Sequence, residues 1–258
     1  MTPAWARRLL RFNRGGPLPP REAYALWSDN YPPAPHNPLM ETEQAIVAPI
    51  IASTSPRRVL DVGTGSGRYV PLLVATGARV VVGIDFSLPM LTNAFATQEA
   101  RRRAGAAANG ETVGRVCGDG CRLPFCDASF DLVSSSLMVG DVADLGAWVA
   151  ELARVLTPGG HLVYSDFHPA WATERWRRTF QTADGRSFEV AYFPHTMAEH
   201  LARLAEQSFE IRAVREPRLA RPGRARPAWM RRHAAPVVVV FHAVKRGSVR
   251  AQAAATRR

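Results

Sequence analysis

Three aspartates, Asp61, Asp85 and Asp119, each fall at or just after the carboxyl end of a short apolar run, where a ligand could be held. The first run, residues 58–62, leads into Gly63-Thr64-Gly65-Ser66-Gly67. A short continuous apolar run reads as a buried parallel strand. Glycines at alternate positions let backbone N–H groups approach a ligand with no Cβ in the way. A dinucleotide fingerprint would be Gly-x-Gly-x-x-Gly, whereas this chain has Gly-x-Gly-x-Gly. Asp61, two residues before the first glycine, would repel a pyrophosphate and suits a ligand with a cationic amino-acid tail. Asp85 comes 18 residues after Gly67, an offset at which a carboxylate can accept both hydroxyls of a ribose. Phe86 could lie against an adenine face. Asp119 could accept from an adenine amino group, with Gly120 giving room. The plain alternative is a tight turn with aspartates capping nearby N–H groups. Three such acids at successive strand ends would be an unusual accident.

These residues need a sheet to carry them, and the chain supplies one. Strands are predicted over 58–62, 79–84, 112–117, 130–134, 161–166, 209–214 and 237–244. Helical patterns separate most of them: 68–76, stopped by Gly77; from Ser87 to about 103; 145–156, stopped by Pro158-Gly159-Gly160; and 196–207, opened by a Thr196/Glu199 capping box. Residues 104–111 read as a small-residue loop. Strands alternating with helices predict an α/β fold with a mostly parallel sheet and helices on both faces. Residues 167–194 break the rhythm. Two β-rich stretches flank Asp184-Gly185, which predicts a β-hairpin inserted after strand 5. Ahead of the sheet, residues 1–22 are basic and proline-rich and read as a flexible arm or one lying on the body. Residues 23–51 give an aromatic-faced helix around Tyr24, Leu26, Trp27 and Tyr31, a proline link, and a second helix from Pro38 capped by Asn37. Residues 247–258 read as a disordered basic tail. The main domain is therefore 23–246, with 23–51 and 167–194 as its additions.

The glycine turn with Asp61 resembles motif I of the class I S-adenosylmethionine (SAM) methyltransferases. The resemblance extends over about residues 57–166. Gly118-Asp119-Gly120-x-x-Leu123-Pro124-Phe125-x-Asp127-x-Ser129-Phe130-Asp131-Leu132-Val133 resembles the stretch joining strands 3 and 4 of that family, and Glu151-Leu152-x-Arg154-Val155-Leu156-x-Pro158-Gly159-Gly160 the segment before strand 5. It implies a Rossmann-like sheet of seven strands with the last antiparallel, and SAM as cofactor. The residues matched to cofactor binding are Asp61, Gly63, Thr64, Gly65, Gly67, Asp85, Phe86, Asp119 and Gly120, with Ser135 and Leu137 on the methionine side. It also implies an N-terminal lid over the cofactor; aromatics packing on the body are the alternative. Many relatives have a histidine shortly after strand 4, where this chain has Gly140-Asp141, so no role is carried over there.

An oxygen or nitrogen acceptor that carries a proton calls for a base to take it. His168, just past strand 5, and His195, just before the following helix, are the candidates, with Tyr192 and Asp166 as possible helpers. A hydrogen-bonded structural histidine is the alternative for each. The insert's Trp171, Trp176, Phe180, Phe188, Tyr192 and Phe193 suggest a pocket wall for an apolar or planar small molecule; the hairpin's own mini-core is the competing reading.

Composition narrows the class. At 258 residues and 47% apolar, the chain can fill a globular core. It has no apolar run long enough for a membrane span and no apolar stretch after Arg7, Arg8 and Arg11 to make a secretory signal, which predicts a cytoplasmic protein. The spacing of Cys117, Cys121 and Cys126 argues against a zinc site, and no metal is expected. The net charge of +11 is uneven: residues 212–258 carry 13 basic residues and one acid, Glu216, while the rest is nearly neutral. The leading reading is a methyltransferase acting on an O or N atom of a small organic molecule, such as one of specialised metabolism. Against it stand an RNA methyltransferase using the arginine-rich residues 212–232, and a SAM-fold protein of other activity. The sequence leaves the oligomeric state open.

Overall fold

The computed structural model describes residues 16–93, 112–173, 177–219 and 236–247. Residues 1–15 of the expected arm, the helix beyond Asn93 with the 104–111 loop, Trp176, residues 220–235 of the arginine-rich stretch and 248–258 of the tail lie outside the described residues. In chain order, α1 (Pro20–Trp27), a 3-10 turn (Ser28–Asn30) and α2 (Pro38–Ala52) precede β1 (Arg58–Val62), α3 (Val70–Val74) and β2 (Val80–Asp85). Next come β3 (Thr112–Cys117), β4 (Phe130–Ser136), α4 (Leu145–Val155), β5 (Leu156–Phe167) and α5 (Ala170–Thr173). The chain continues through β6 (Thr179–Gln181), β7 (Ser187–Glu189), α6 (Met197–Glu206), β8 (Phe209–Arg215) and β9 (Val238–Lys245).

Seven strands form one sheet in the order β3-β2-β1-β4-β5-β9-β8. The pairs among β1 to β5 are parallel, and β9 runs antiparallel to both neighbours. The fold is the Rossmann-like α/β sheet read from the sequence. Its central strands are buried on both faces, so alternate residues feed two cores, while the edge strands β3 and β8 stay partly exposed. Leu162, Tyr164, Val239 and Phe241 pack with Trp148 of α4 and Leu204 of α6. Val163, Val238 and Val240 pack with Val47 and Ile51 of α2 and Leu73 of α3. Strand order reverses between β1 and β4, which opens a crevice beyond their carboxyl ends.

Several boundaries move. β5 begins at Leu156 rather than 161, because Pro158-Gly159-Gly160 does not end the pairing. It loops out as an irregularity between the Phe130↔Leu156 and Leu132↔His161 partners, with Gly159 at φ +80°. α3 keeps five residues of the expected nine, with Pro71 in its first turn and Gly77 at φ +82° past its end. The arm does not extend to residue 22. Leu18 N donates to Glu189 O and Ala191 N to Leu18 O, so Leu18 bridges Val190, and α1 starts at Pro20, where a missing N–H costs little.

In the insert, β6 and β7 pair antiparallel, with Phe180 opposite Phe188 and Gly185 at φ +79° in the turn. Phe180 and Phe188 form a small core with Leu18, Ala23 and Val190, against which Trp27 packs. These two aromatics are therefore the hairpin's own core. Trp171, by contrast, lines the cavity described next.

Candidate active site

The crevice holds a cavity of about 310 Å³. Its floor is the turn after β1. Gly63, Gly65 and Gly67 have φ of +71°, +52° and +74°, which side-chain-bearing residues rarely adopt. A Cβ on Gly63 would also collide with Met138. Gly63 N and Thr64 N donate to Ile84 O at 2.8 and 3.1 Å, tying the turn to β2. Asp85 secures it from the side: its Oδ2 accepts from Gly65 N and its Oδ1 from Ser87 N, both at 2.8 Å. Burial raises the Asp85 carboxyl to about 6 against the pull of those two donors. Burial likewise raises Asp61, opposed by the Ser134 hydroxyl, which donates to its Oδ1 at 2.7 Å.

Asp61, Gly63, Thr64, Gly65, Asp85, Phe86 and Leu137 all line the cavity, and Gly67 closes the turn by donating to Thr64 O at 2.8 Å. The donor set fits SAM, the cofactor of class I methyltransferases. Two carboxylates face a space kept free of Cβ atoms, and the Thr64 side chain is buried beside them.

Three expected cofactor residues are elsewhere. Asp119 is exposed, accepts from Cys121 N at 2.8 Å and does not line the cavity. Gly120 packs under Trp148, where a Cβ would come 3.1 Å from Val62 Cγ1. Ser135 points to the opposite face of β4, its Oγ buried and unpartnered, because side chains alternate along a strand. Ser136, one residue on, lines the cavity in its place.

The expected bases are also displaced. His168 Nε2 pairs with Glu216 Oε2 at 2.8 Å, and His195 Nε2 with Val142 O at 2.7 Å; both rings are buried and neither lines the cavity. Tyr192 packs where a Cβ on Gly140 would clash with its ring, and its hydroxyl is buried away from the cavity lining. Burial raises the neighbouring Asp166 to about 7, opposed by backbone donors including Gly140 N. We expect His168→Ala and His195→Ala to leave turnover unchanged and to cost about 0.5–1.5 kcal/mol each in thermal denaturation, the range for one hydrogen bond.

Three groups on the cavity wall escaped the sequence reading. The first is an ion pair behind Arg68. Glu43 of α2 is fully buried and accepts from Arg68 Nη1 (3.0 Å), Tyr69 OH (2.8 Å), Ser165 Oγ (2.7 Å) and Ser136 Oγ. The second joins three segments. Arg178 of the insert donates to Asp141 Oδ1 after β4 and to Tyr24 OH of α1, each at 2.6 Å, with both ion-pair side chains nearly buried. The third is His36, exposed at the cavity rim between Trp27 and Tyr31. Glu43 alone left a signal: it sits in the apolar stripe Leu39, Glu43, Val47, Ile51, at helical spacing.

Among the described residues, no group of three or more His, Cys, Asp or Glu could hold a metal, and no helix is long and apolar enough to cross a membrane. Residues 60–164 match the family described as "Methyltransferase domain". Over 116 residues the chain is 43% identical to a demethylmenaquinone methyltransferase of Deinococcus radiodurans, covering 45% of each. Over 127 residues it is 35% identical to the biotin biosynthesis bifunctional protein BioHC of Cellvibrio japonicus, covering 49% of this chain and 23% of that one. The chain thus spans less than half the length of these relatives. A crystal structure of a SAM-dependent methyltransferase from Mesorhizobium loti superposes with a TM-score of 0.55 at 24% identity, covering 76% of this chain and 96% of that one. Residues 60–164 are thus similar to a methyltransferase domain, and the sheet that carries them has the Rossmann-like fold of the solved neighbour.

Proposed function

We propose that the chain transfers a methyl group from SAM to an O or N atom of a planar small organic molecule. One observation carries this reading: a single cavity joins the acid-flanked glycine turn to rings from the N-terminal segment and from the end of β5 and the helix after it, namely Tyr24, Trp27, Tyr31, Phe167 and Trp171. Asp61, Asp85, Thr64 and the turn would hold the cofactor. When bound, it supplies an electrophilic methyl group, so the protein's tasks are to orient the acceptor and exclude water. The Tyr24–Arg178–Asp141 cluster supports the second task, since it fastens α1 and the insert over the body. The aromatic wall supports a flat acceptor. Relatives named for quinone and biotin biosynthesis favour a small molecule, but the segments that would read it lie outside the 60–164 match.

The test is transfer of labelled methyl from SAM to a panel of phenols, hydroquinones and aromatic amines, with RNA run in parallel. We expect label in at least one small aromatic and none in RNA. Label in RNA alone, weakening steeply with salt as phosphate contacts do, would overturn the proposal.

A further inference from the structure

We infer that His36, at the rim of the cavity, takes the proton from the methyl acceptor. The inference rests on the methyltransferase function proposed above. The other titratable groups on the cavity wall are engaged or keep their own proton. Asp85 has both oxygens committed to backbone N–H groups of its own turn. Asp61 is buried beneath the turn and holds the Ser134 hydroxyl. Asp141 is taken up by the ion pair with Arg178 at 2.6 Å, both side chains being nearly buried. Arg68, Arg177 and Arg178 are cations at any working pH. Burial pushes the phenols of Tyr24, Tyr31 and Tyr69 upward, so they remain protonated at neutrality.

Of the six described histidines, His36 alone lines the cavity. Its ring stands edge-to-face with Trp27 (centroids 6.4 Å) and Tyr31 (5.9 Å), which fix its plane against the cavity wall. The groups facing it are these two rings, the Ala34 carbonyl and the Arg68 guanidinium. Partial burial and the Arg68 charge lower its pKa, while the hydrogen bond with Ala34 opposes them. The imidazole is therefore neutral, and able to accept, near pH 7. In the step itself, the acceptor's O–H or N–H proton passes to a ring nitrogen of His36. The lone pair left on the acceptor then forms the new bond to the methyl carbon as the carbon–sulfur bond breaks, and the electron pair of that bond stays on the sulfur of the departing S-adenosylhomocysteine. Because His36 is exposed, the proton leaves directly to solvent.

The position also accounts for Gly140-Asp141. Asp141 is spent on Arg178, and Gly140 is required by the Tyr192 ring, so no base is available after β4 and one comes from the N-terminal segment instead.

The test compares wild type, His36→Gln and His36→Ala on whichever aromatic acceptor the panel yields, together with calorimetry using S-adenosylhomocysteine. We expect kcat to fall about 10²–10⁴-fold in both variants, the range for losing a general base. The acid limb of the kcat–pH profile should vanish, added imidazole should restore part of the His36→Ala rate, and affinity for S-adenosylhomocysteine should be unchanged. Unchanged kcat, or a loss of affinity parallel to the loss of rate, would overturn the role of His36 while leaving the methyltransferase function standing. Absence of transfer by the wild type would remove both.

Discussion

Replacing Asp85 with alanine should weaken SAM binding by about 1.5–3 kcal/mol, the range for hydrogen bonds to a charged group. The carboxylate has two tasks that fail together. It pins Gly65 N and Ser87 N, and so fixes the turn, and it faces the cavity where a ribose would present its hydroxyls. Asp131 provides the contrast. Its carboxylate also accepts from backbone N–H groups, those of Arg57 and Arg58, but at the opposite end of β1. Asp131→Ala should therefore lower stability and leave affinity intact. The pH dependence follows from the same group. The free protein's Asp85 carboxyl is raised to about 6, chiefly by burial, and the ionised form is the one that accepts from hydroxyls. Affinity is then complete above pH 6 and lost as pH falls through that value, by up to about tenfold per unit. Calorimetric titration of both variants, and of wild type across pH 5–8, checks all of this.

Glu43→Ala should be strongly destabilising. Removing one partner of a buried ion pair costs about 3–5 kcal/mol, because the remaining charge is stranded. Here Arg68 keeps only 7% of its side chain exposed. Three hydroxyls, those of Tyr69, Ser136 and Ser165, lose their acceptor at the same time. At about 2–4 °C per kcal/mol for a chain of this size, the melting temperature should drop by roughly 6–20 °C. Glu43→Gln, which keeps the shape but not the charge, should fall between alanine and wild type. Differential scanning calorimetry decides the matter, and an unchanged melting temperature for Glu43→Ala would show that water satisfies Arg68. Arg68 and Ser136 also line the cavity, so the alanine variant should bind SAM less tightly even where it stays folded.

The sheet was legible because parallel strands buried on both faces leave continuous apolar runs. β3 was read to the residue, and Thr196 with Glu199 marked the start of α6 by a purely local capping signal. The glycine turn and Asp85 were legible for a related reason: positive φ and a strand-end acid are short-range features. What escaped depends on phase or on distance. Choosing Ser135 over Ser136 required knowing which face of β4 looks into the crevice, and the apolar run before it gives no alternation to show that. The Arg178 contacts to Asp141 and Tyr24 span 37 and 154 residues, and no local pattern announces them. His168 and His195 flank the insert in sequence, yet each ring pairs with a carboxylate or a carbonyl off the cavity wall. His36 follows a proline-rich link that carries no periodicity, and only the folded path of that link brings it to the cavity.

The turn at Gly63–Gly67, with Asp61 and Asp85 beside it, is proposed as the cradle for SAM. The most direct measurement is calorimetric titration of the full chain with S-adenosylhomocysteine, the cofactor's demethylated product. The claim predicts saturable heat at one site per chain, largely lost in Asp85→Ala. No heat and no thermal shift, from protein that stays folded, would contradict it.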